Sequence, residues 1–377
     1  MSALAISDGG AATSRPLRFG VIGTGMMGRE HIANLMALDG AEVSALCDNW
    51  APSLDAAQQL LGTGSDVLRF ADHQELLDSN ACDAVVVATP NHLHTDIVLD
   101  IAATGLPQLV EKPLANTLAD CRRIIDGVGR LATPPLVWMG LEYRYIAPVA
   151  ELIRETHAGT VGRVRMVSIR EHRFPFQPKV RDWNRFNRNT GGTLVEKCCH
   201  FFDLMRLIVR SDPVRVLASG GQDLNHLDES YSGEVPDILD NAFVIVDFAS
   251  GTRALLDLCM FADATRHQEE ISVVGDDGKL EALVPSSVLR VGLRGRDWIG
   301  NVEEREVTST APVEGHHHGS SFIELERFRD AVICGTPAES TLGDGLWSVA
   351  IGHAAHRSID EGRPVMLDEL LNAAATT

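Results

Sequence analysis

Short apolar runs alternate with longer amphipathic segments along the first third of the chain, which predicts strands and helices in turn. The three valines at 85–87 are typical of a strand buried on both faces. Strands separated by helices indicate βαβ units and a parallel sheet. The predicted strands are Leu17–Ile22, Glu42–Cys47, Asp83–Ala88, Pro107–Val110 and Leu136–Met139. The predicted helices are Met27–Leu38, Pro52–Leu60, Leu93–Ala103 and Leu118–Val128.

After about residue 140 the pattern changes, because alternating strand-like runs follow one another with turn signals between them. This succession predicts a mainly antiparallel sheet in an α+β arrangement. Asp223–Asp240 is polar, contains Gly and Pro, and is expected to be a surface loop. The predicted strands are Arg163–Glu171, Asn241–Phe248, Arg253–Met260 and Glu270–Val274, and the predicted helices are Thr193–Val209, Ser320–Cys334 and Leu342–Glu361.

Length and pattern together predict the domain organisation. The 377 residues suffice for two domains at roughly 150 residues each. We expect a flexible leader over residues 1–15, an α/β domain over residues 16–140 and an α+β domain over residues 141–377. Residues 1–15 are rich in Ala, Ser and Gly, without the basic start or long apolar core of a secretory signal.

The net charge limits the possible binding partners, and the cysteine content indicates the cellular compartment. The net charge of −19 argues against binding to nucleic acid or to an anionic membrane, and no apolar run approaches the roughly 18 residues of a membrane span. The seven cysteines are odd in number and form no C-x-x-C pair. This usage is typical of reduced thiols and predicts a cytoplasmic protein.

A glycine-rich turn follows the first predicted strand, with Gly23, Gly25 and Gly28 in G-x-G-x-x-G spacing. The spacing permits a tight turn, close approach of a pyrophosphate to the backbone, and close packing of the following helix. Asp48 ends the second strand, where a carboxylate hydrogen-bonds ribose hydroxyls and repels a 2′-phosphate. NAD is therefore favoured over NADP. The alternative is a structural glycine turn in a domain that binds no nucleotide.

Two further motifs end strands at the edge of the parallel sheet, where ligands bind in such folds. The first is Thr89-Pro90-Asn91-His92-Leu93-His94, in which Asn91 is expected either to contact a ligand or to cap the next helix. The second is Glu111-Lys112-Pro113, in which Lys112 could stabilise an alkoxide formed during oxidation. The alternative for Lys112 is an ordinary surface lysine.

A third motif begins at Gly191-Gly192 and opens the predicted helix Thr193–Val209. Glu196 and His200 are four residues apart, so they share one face of a helix, and a carboxylate there could prepare His200 as a general base. A surface ion pair is the alternative. Adjacent Cys198 and Cys199 cannot easily ligate one ion, so no metal site is expected. The His316–His318 run either lines a pocket or is a solvated loop.

These motifs, in this order and spacing, resemble the Gfo/Idh/MocA family of NAD(P)-dependent oxidoreductases over Leu17 to about Met366. The resemblance rests on G-T-G-M-M-G (23–28), T-P-N-H-L-H (89–94), E-K-P-L-A (111–115), G-G-T-L-V-E-K-C-C-H-F-F-D-L-M (191–205) and D-G-L-W-S-V-A (344–350). It implies an N-terminal Rossmann domain and a C-terminal α+β domain with a large, open, mainly antiparallel sheet, whose outer face forms a homodimer or homotetramer contact.

The resemblance also implies site residues. The family's lysine and histidine fall on Lys112 and His200, and its aspartate falls on Glu196, a departure that adds one methylene. Catalysis is thus expected from Lys112, His200 and Glu196. The residues expected at the cofactor are Gly23, Gly25, Met26, Met27, Gly28, Asp48, Thr89, Pro90, Asn91, His94, Glu111 and Lys112. Those expected at the substrate are Lys112, Tyr143, Arg144, Arg173, Trp183, Lys197, His200 and His318.

The segment from Glu171 to Asn189 is basic and aromatic in an otherwise acidic protein. Aromatic faces pack on sugar C–H surfaces and Arg side chains hold hydroxyls or a carboxylate, so this segment is expected to form part of the substrate wall. An interdomain or oligomer contact is the alternative.

The leading hypothesis for function is a dehydrogenase that transfers a hydride between a secondary alcohol (CH–OH) of a sugar or inositol-like cyclic polyol and NAD. A second hypothesis is a glycosidase or lyase that uses bound NAD for transient oxidation without net redox change. A third is a non-catalytic NAD-sensing module, which would need only the glycine turn and Asp48. The presence of both Lys112 and His200 argues against the third.

Overall fold

The computed structural model describes residues 15–62, 64–295 and 299–373. Apart from Arg15, the predicted leader lies outside these residues. Within the described part of the chain, no helix is long and apolar enough to cross a membrane.

The first half of the chain forms a six-stranded parallel sheet in the order β3-β2-β1-β4-β5-β6. This is the strand order of dinucleotide-binding folds, in which ligands bind beyond the carboxyl ends of the strands. The strands are β1 Leu17–Ile22, β2 Ala41–Cys47, β3 Leu68–Phe70, β4 Ala84–Val87, β5 Gln108–Glu111 and β6 Val137–Gly140. The helices are α1 Met26–Ala37, α2 Ala51–Leu61, α3 His73–Asp78, α4 His94–Thr104 and α5 Leu118–Gly129.

The second half forms a nine-stranded sheet in the order β14-β13-β12-β11-β7-β10-β9-β8-β15. All neighbours pair antiparallel except β7 and β10. The strands are β7 Val164–His172, β8 Pro213–Gly221, β9 Asn241–Phe248, β10 Arg253–Cys259, β11 Glu269–Gly275, β12 Gly278–Val284, β13 Val288–Leu293, β14 Glu303–Glu306 and β15 Val365–Met366. The helices are α6 Ala147–His157, α7 Asn187–Thr190, α8 Thr193–Glu196, α9 Cys199–Val209, α10 Ser320–Cys334, α11 Leu342–Glu361 and α12 Leu367–Ala373. The predicted fold class, a Rossmann domain followed by a mainly antiparallel sheet, is confirmed.

The two faces of the large sheet differ. Helices α6, α9 and α11 pack against one face, and on β9 this face carries the buried Val244 and Val246. Because side chains alternate along a strand, the residues between them point to the other face. There Phe243 is 60% exposed. Met166, Leu217 and Ile245 are further exposed apolar residues on this outer face, as the strand registers place them.

Helix α10 joins the two halves of the molecule. Its apolar residues Phe322, Leu325 and Phe328 belong to the same buried cluster as Phe19 of β1 and Trp138 of β6. The Phe328 ring lies 6.3 Å from Phe19 and 6.2 Å from Trp138 between centroids. The core of the first domain is therefore completed by residues from beyond the predicted boundary at 140/141.

Candidate active site

The glycine turn between β1 and α1 is shaped for a pyrophosphate. Gly23 has a φ of 88°, and a Cβ there would lie 2.5 Å from the carbonyl oxygen of Ala88. A Cβ on Gly28 would lie 1.9 Å from the carbonyl oxygen of Gly23, so glycine is needed for α1 to pack this closely. A Cβ on Gly25 would meet no atom within 4 Å, which leaves open space before the helix start. Met26 and Met27 form the first turn of α1, where N–H groups are free for phosphates, so the turn fits a dinucleotide.

Asp48 follows β2 and connects that strand to the glycine turn. Its Oδ2 accepts hydrogen bonds from the N–H (2.8 Å) and the hydroxyl (3.2 Å) of Thr24, and its Oδ1 accepts one from the N–H of Trp50 (2.8 Å). A carboxylate has about four acceptor positions, so Asp48 keeps capacity for a ribose hydroxyl. Arg181 also lies near Asp48, because its guanidinium is 4.4 Å from the centroid of the Trp50 ring. The sequence analysis did not predict a cation at this end of the site.

The segment after β4 divides into residues that face the site and residues that hold the loop. Thr89 keeps a buried hydroxyl without a hydrogen-bond partner among the described residues, as expected for a group that faces a ligand. Pro90 precedes a 3₁₀ turn that starts at Asn91. Asn91 is not the N-cap of α4, because Leu93 occupies that position. Its side-chain amide instead donates to the carbonyl of Thr190 (3.1 Å) and to the Glu196 carboxylate.

The cofactor roles expected for His94 and Glu111 are not supported. The His94 ring nitrogens lie 2.9 Å from the carbonyl of Pro113 and 3.0 Å from that of Thr89, so this fully buried ring connects the loops after β4 and β5. Glu111 lies 2.6 Å from Nε2 of His31, and both side chains are buried. Internal partners therefore occupy both residues.

Lys112 lies just beyond β5, at the ligand-binding edge of the parallel sheet. Its ammonium donates a hydrogen bond to the carbonyl oxygen of Glu196 (3.0 Å) and lies 4.0 Å from the Glu196 carboxylate. Burial disfavours the charge, but Glu196 and Glu111 outweigh it and raise the pKa of Lys112 above its usual range. Lys112 is therefore a charged ammonium at neutral pH.

The predicted helix Thr193–Val209 is broken, and this corrects the expected pairing of Glu196 with His200. Helix α8 ends at Glu196 and α9 begins at Cys199, so the four-residue spacing does not place the two side chains together. Glu196 instead binds Asn91, and it pairs with Lys179 at 2.9 Å. Burial opposes its charge, but Lys179 and Lys112 lower the pKa of Glu196 to about 2.

His200 is 2% exposed and stacks on the Tyr143 ring, with centroids 4.1 Å apart. Its Nε2 lies 3.5 Å from the carboxylate of Glu142, and its Nδ1 is buried with no hydrogen-bond partner among the described residues. Burial, together with the charges of Lys112 and Lys197, lowers the pKa of His200 well below 6.5. His200 is thus a neutral imidazole within electrostatic reach of Lys112.

Tyr143 and Lys197, both predicted at the substrate, lie in a buried polar cluster beside His200. Lys197 donates to the Tyr143 hydroxyl (2.6 Å) and pairs with Glu171 at 3.0 Å. Tyr143 also donates to Glu269 (3.3 Å). Burial lowers the pKa of Lys197, and burial raises the pKa of Glu171 to about 7 despite the lysine. This cluster fixes the ring on which His200 stacks.

Two arginines predicted at the substrate have different surroundings. Arg144 binds the Asp203 carboxylate through two nitrogens, the closer pair at 2.5 Å, and donates to the carbonyl of Glu339 at 2.7 Å. It is a buried cation with internal partners, so the structure does not support its predicted substrate contact. Arg173 lies 3.5 Å from Glu171 and 4.4 Å from the Phe174 ring centroid, next to the cluster around Lys197.

The basic, aromatic segment crosses between the domains. Lys179 lies 4.7 Å from the Trp183 ring centroid while it pairs with Glu196. Trp183 also meets His92 of the first domain, with ring centroids 6.4 Å apart. The segment therefore spans from Glu196, near Lys112, to Trp50 at the ribose end of the cleft.

The histidine run contributes His317 to the surroundings of His200. His317 lies 3.1 Å from the Glu30 carboxylate and 3.7 Å from that of Glu142. Burial and the neighbouring His317 lower the pKa of His318. His317 is the member of the run that contacts the acids beside His200, and the substrate role expected for His318 stays a prediction.

Sequence reasoning missed Glu142 as a residue near His200, and it named Glu171, Lys179 and His317 only as members of longer segments. Glu142 had a usable signal, because it follows β6 at the ligand edge of the sheet. Among the described residues, no cluster of His, Cys, Asp and Glu is arranged to hold a metal ion.

Comparison with known proteins gives matches along nearly the whole chain. A protein-family model for "Oxidoreductase family, NAD-binding Rossmann fold" matches residues 17–131. A second family model, for "Oxidoreductase family, C-terminal alpha/beta domain", matches residues 153–367. The chain is 27% identical to a myo-inositol 2-dehydrogenase of Thermotoga maritima, covering 94% of this chain and 100% of that protein. It is 24% identical to a scyllo-inositol 2-dehydrogenase (NAD(+)) of Bacillus subtilis, over 93% and 96%. A crystal structure of a probable dehydrogenase from Thermotoga maritima matches with a TM-score of 0.75 at 26% identity, over 94% and 100%.

Proposed function

Because the chain belongs to the Gfo/Idh/MocA oxidoreductase family, we propose that it is an NAD-dependent dehydrogenase of a secondary alcohol in a sugar or cyclic polyol. The observation that carries the proposal is the presence, at one site, of a charged lysine and a neutral histidine. Lys112 keeps its proton and His200 remains unprotonated at neutral pH, and their environments push the two pKa values in opposite directions.

The glycine turn and Asp48 would hold the cofactor. The chemistry that bound NAD supplies is acceptance of a hydride from the carbinol carbon. The first turn of α1 would hold the phosphates with its free N–H groups, and Asp48 would hold the ribose. The Thr89 hydroxyl would face the bound molecule.

Lys112 and His200 would handle the substrate oxygen. His200 accepts the hydroxyl proton, because burial and the nearby lysines keep its imidazole neutral at neutral pH. Lys112 donates a hydrogen bond to the same oxygen and stabilises the negative charge that develops there. Glu196 holds Lys112 through its main-chain carbonyl, and its side chain holds Lys179 of the substrate segment.

The substrate class is argued from the lining and from the relatives. The side chains of Trp183, Arg173 and Lys179 offer an aromatic face and cationic donors of the kind that bind polyhydroxylated rings. The names of the relatives, dehydrogenases of myo-inositol and scyllo-inositol, favour net oxidation over transient oxidation.

A spectrophotometric screen tests the proposal. Purified protein is incubated with NAD or NADP and with inositol isomers, aldoses and aryl glycosides in separate reactions. We expect NADH to accumulate with at least one sugar or inositol, and faster than NADPH. Release of the aryl group without NADH accumulation would instead establish the transient-redox chemistry. Turnover of none of these compounds would contradict both.

We also propose that the protein is a cytoplasmic homo-oligomer that associates through the outer face of the large sheet. The exposed Met166, Leu217, Phe243 and Ile245 lie together on this face, and contiguous apolar surface of this kind marks interaction sites. A homodimer or homotetramer would cover it. All seven cysteines are free thiols, which supports a reducing compartment.

A further inference from the structure

Glu142 is a buried acid whose surroundings have no structural explanation in the fold. It lies in the 3₁₀ turn after β6 and is 1% exposed. Neither carboxylate oxygen has a hydrogen-bond partner among the described residues. Its Oε1 lies 3.5 Å from Nε2 of His200 and 3.7 Å from Nε2 of His317. An unbonded buried carboxylate is costly, so one placed between two imidazoles points to a functional role.

His317 lies next to Glu142 and is the more exposed of the two side chains. Its Nδ1 lies 3.1 Å from the carboxylate of Glu30, which also accepts a hydrogen bond from the Ser321 hydroxyl (3.1 Å). The side chains of His200 and Glu142 are each 2% exposed, whereas that of His317 is 20% exposed. Of these three groups, His317 is the one that water reaches. A proton held by His200 therefore needs a carrier to leave the protein.

We propose that Glu142 and His317 form a proton relay that returns His200 to its neutral state after each oxidation, which rests on the function proposed above. The hydroxyl proton enters at Nε2 of His200 and moves from there to Oε1 of Glu142, while Nδ1 of His200 keeps its own proton. Glu142 then passes the proton to Nε2 of His317, and His317 releases it from Nε2 to water while its Nδ1 proton stays on the bond to Glu30. One proton leaves for each hydride removed, and the three side chains end as they began.

The two separations fit a relay that operates during turnover. Contacts of 3.5 and 3.7 Å exceed direct hydrogen bonds. Catalytic hydrogen bonds are commonly long in the free enzyme and shorten in the complex, or are bridged by one water. Glu142 is a positioning residue in this scheme, because it acts on the substrate proton only through His200.

The charges around Glu142 suit proton exchange near neutral pH. Burial raises the pKa of Glu142 to about 7, with His317 and Lys112 opposing and Glu111 adding to the rise. His200 faces it from α9, Glu324 from α10 and His31 from α1. Burial disfavours the charge on His317, but its bond to Glu30 outweighs this and raises the pKa of His317. Glu142 can therefore gain and lose a proton near neutral pH, and the bond to Glu30 favours the protonated form of His317.

Glu324 provides a matched control. It is also 1% exposed and its pKa is also raised, by burial and by Glu142. Its carboxylate, however, accepts a hydrogen bond from the Trp138 indole (3.4 Å), and no histidine nitrogen among the described residues forms an ion pair with it. A purely structural acid in this core would behave like Glu324.

The first experiment needs no substrate. Infrared difference spectroscopy follows the C=O stretch of protonated carboxyl groups across pH in the wild type, Glu142→Gln, Glu324→Gln and His317→Asn. We expect a carboxyl that titrates near neutral pH in the wild type and in Glu324→Gln, is missing in Glu142→Gln and is displaced in His317→Asn. Glu171 contributes a second such signal that persists in all four proteins, and a signal from Glu324, whose pKa is also raised, is lost only in Glu324→Gln. An unchanged difference spectrum in Glu142→Gln or in His317→Asn would overturn the relay.

The second experiment measures turnover with NAD and the sugar or inositol that the wild type oxidises best. For Glu142→Gln we expect kcat to fall by about 10- to 100-fold, the size of a lost acid–base contribution, with KM for the polyol within about twofold. Formate should restore part of the activity of Glu142→Gly, and imidazole part of that of His317→Gly. Glu324→Gln should turn over normally.

The outcomes separate the relay from the proposed function. If the wild type oxidises a polyol and Glu142→Gln matches it at every pH, the relay is wrong and the dehydrogenase assignment stands. If the wild type oxidises none, the assignment fails, and the infrared titration still decides whether Glu142 and His317 share a proton.

Discussion

The ammonium of Lys112 donates a hydrogen bond to the main-chain carbonyl of Glu196, 84 positions further along the chain, at 3.0 Å. The lysine is therefore held mainly by a backbone atom that no side-chain substitution removes. The Glu196 side chain is left to bind Asn91 and Lys179. The main chain of Glu196 therefore positions Lys112, while the side chain of Glu196 connects neighbouring segments of the site.

This division of roles between the main chain and the side chain of Glu196 predicts that Lys112→Met lowers activity much more than Glu196→Gln does. Lys112→Met removes the cation at the reacting oxygen and should lower kcat by at least about 10²-fold, as should His200→Ala for the proton acceptor. Glu196→Gln keeps the carbonyl and should cost less than about tenfold. Steady-state kinetics with NAD and the best polyol checks this, with the exposed Lys279→Met as control. A Glu196→Gln enzyme as inactive as Lys112→Met would contradict it.

The pH dependence of kcat/KM should report the lowered pKa of His200. A base works only when unprotonated, so activity is lost as pH falls through its pKa. Because burial and two nearby lysines lower that pKa well below 6.5, kcat/KM should stay level through pH 6.5 and decline only at lower pH. By contrast, kcat includes proton release and should decline nearer pH 7. Stopped-flow rates of NADH formation separate the two, and a kcat/KM midpoint at or above 6.5 would exclude this assignment.

Asp48 should determine cofactor affinity and preference. Asp48→Asn keeps acceptors for Thr24 but loses the charge that favours ribose hydroxyls over a 2′-phosphate. We expect KM for NAD to rise by about tenfold, with discrimination against NADP reduced and kcat at saturating NAD little changed, a loss of about 1.4 kcal/mol in binding. Asp55→Asn on the exposed face of α2 is the control. An unaltered preference for NAD would argue against a ribose contact.

The buried pair of Arg144 and Asp203 should contribute to stability rather than to substrate binding. Asp203→Ala leaves a guanidinium buried without its main partner and should lower the free energy of unfolding by about 3–5 kcal/mol. Asp276→Ala, which breaks the exposed pair with Arg165, should have a much smaller effect. Urea unfolding followed by circular dichroism measures both. Equal losses would show that burial of the first pair is unimportant.

The apolar outer face of the large sheet should control assembly. Phe243→Glu introduces a charge at the centre of that face and should shift the protein to a smaller species. Ile333→Glu, at an exposed apolar position on α10 away from the sheet, should not. Light scattering after gel filtration gives the mass of each variant. A wild type that is already monomeric would disprove association through this face.

Strong periodic patterns allowed accurate prediction of several elements. The bounds of β1, β9, α10 and α11 match the predictions, because each has a clear apolar period and a defined end, such as the Thr341 cap of α11. Strands β3, β8 and β12 to β15 were missed. In β12, Leu280 and Ala282 do alternate with polar residues, whereas β14 reads Glu-Glu-Arg-Glu and carries no apolar signal.

Site residues that belong to local motifs were predicted from the sequence. Contacts between residues far apart in the chain were not. Lys112, His200 and Asp48 lie at strand or helix ends that local motifs identify. The pairing of Glu196 with His200 assumed an unbroken helix, and the interruption after α8 separates them. The approach of Glu142 to His317 joins positions far apart in the chain, and no local pattern encodes such a distance.

The packing of α10 into the first sheet affects how the protein is made. The layer that covers Phe19 and Trp138 is supplied by residues 320–334, so a ribosome must translate most of the message before the nucleotide-binding half can bury its apolar surface. Nascent chains shorter than this should expose those aromatic rings to chaperones. An excised fragment ending at residue 140 should aggregate, whereas one supplied with the α10 peptide should gain solubility.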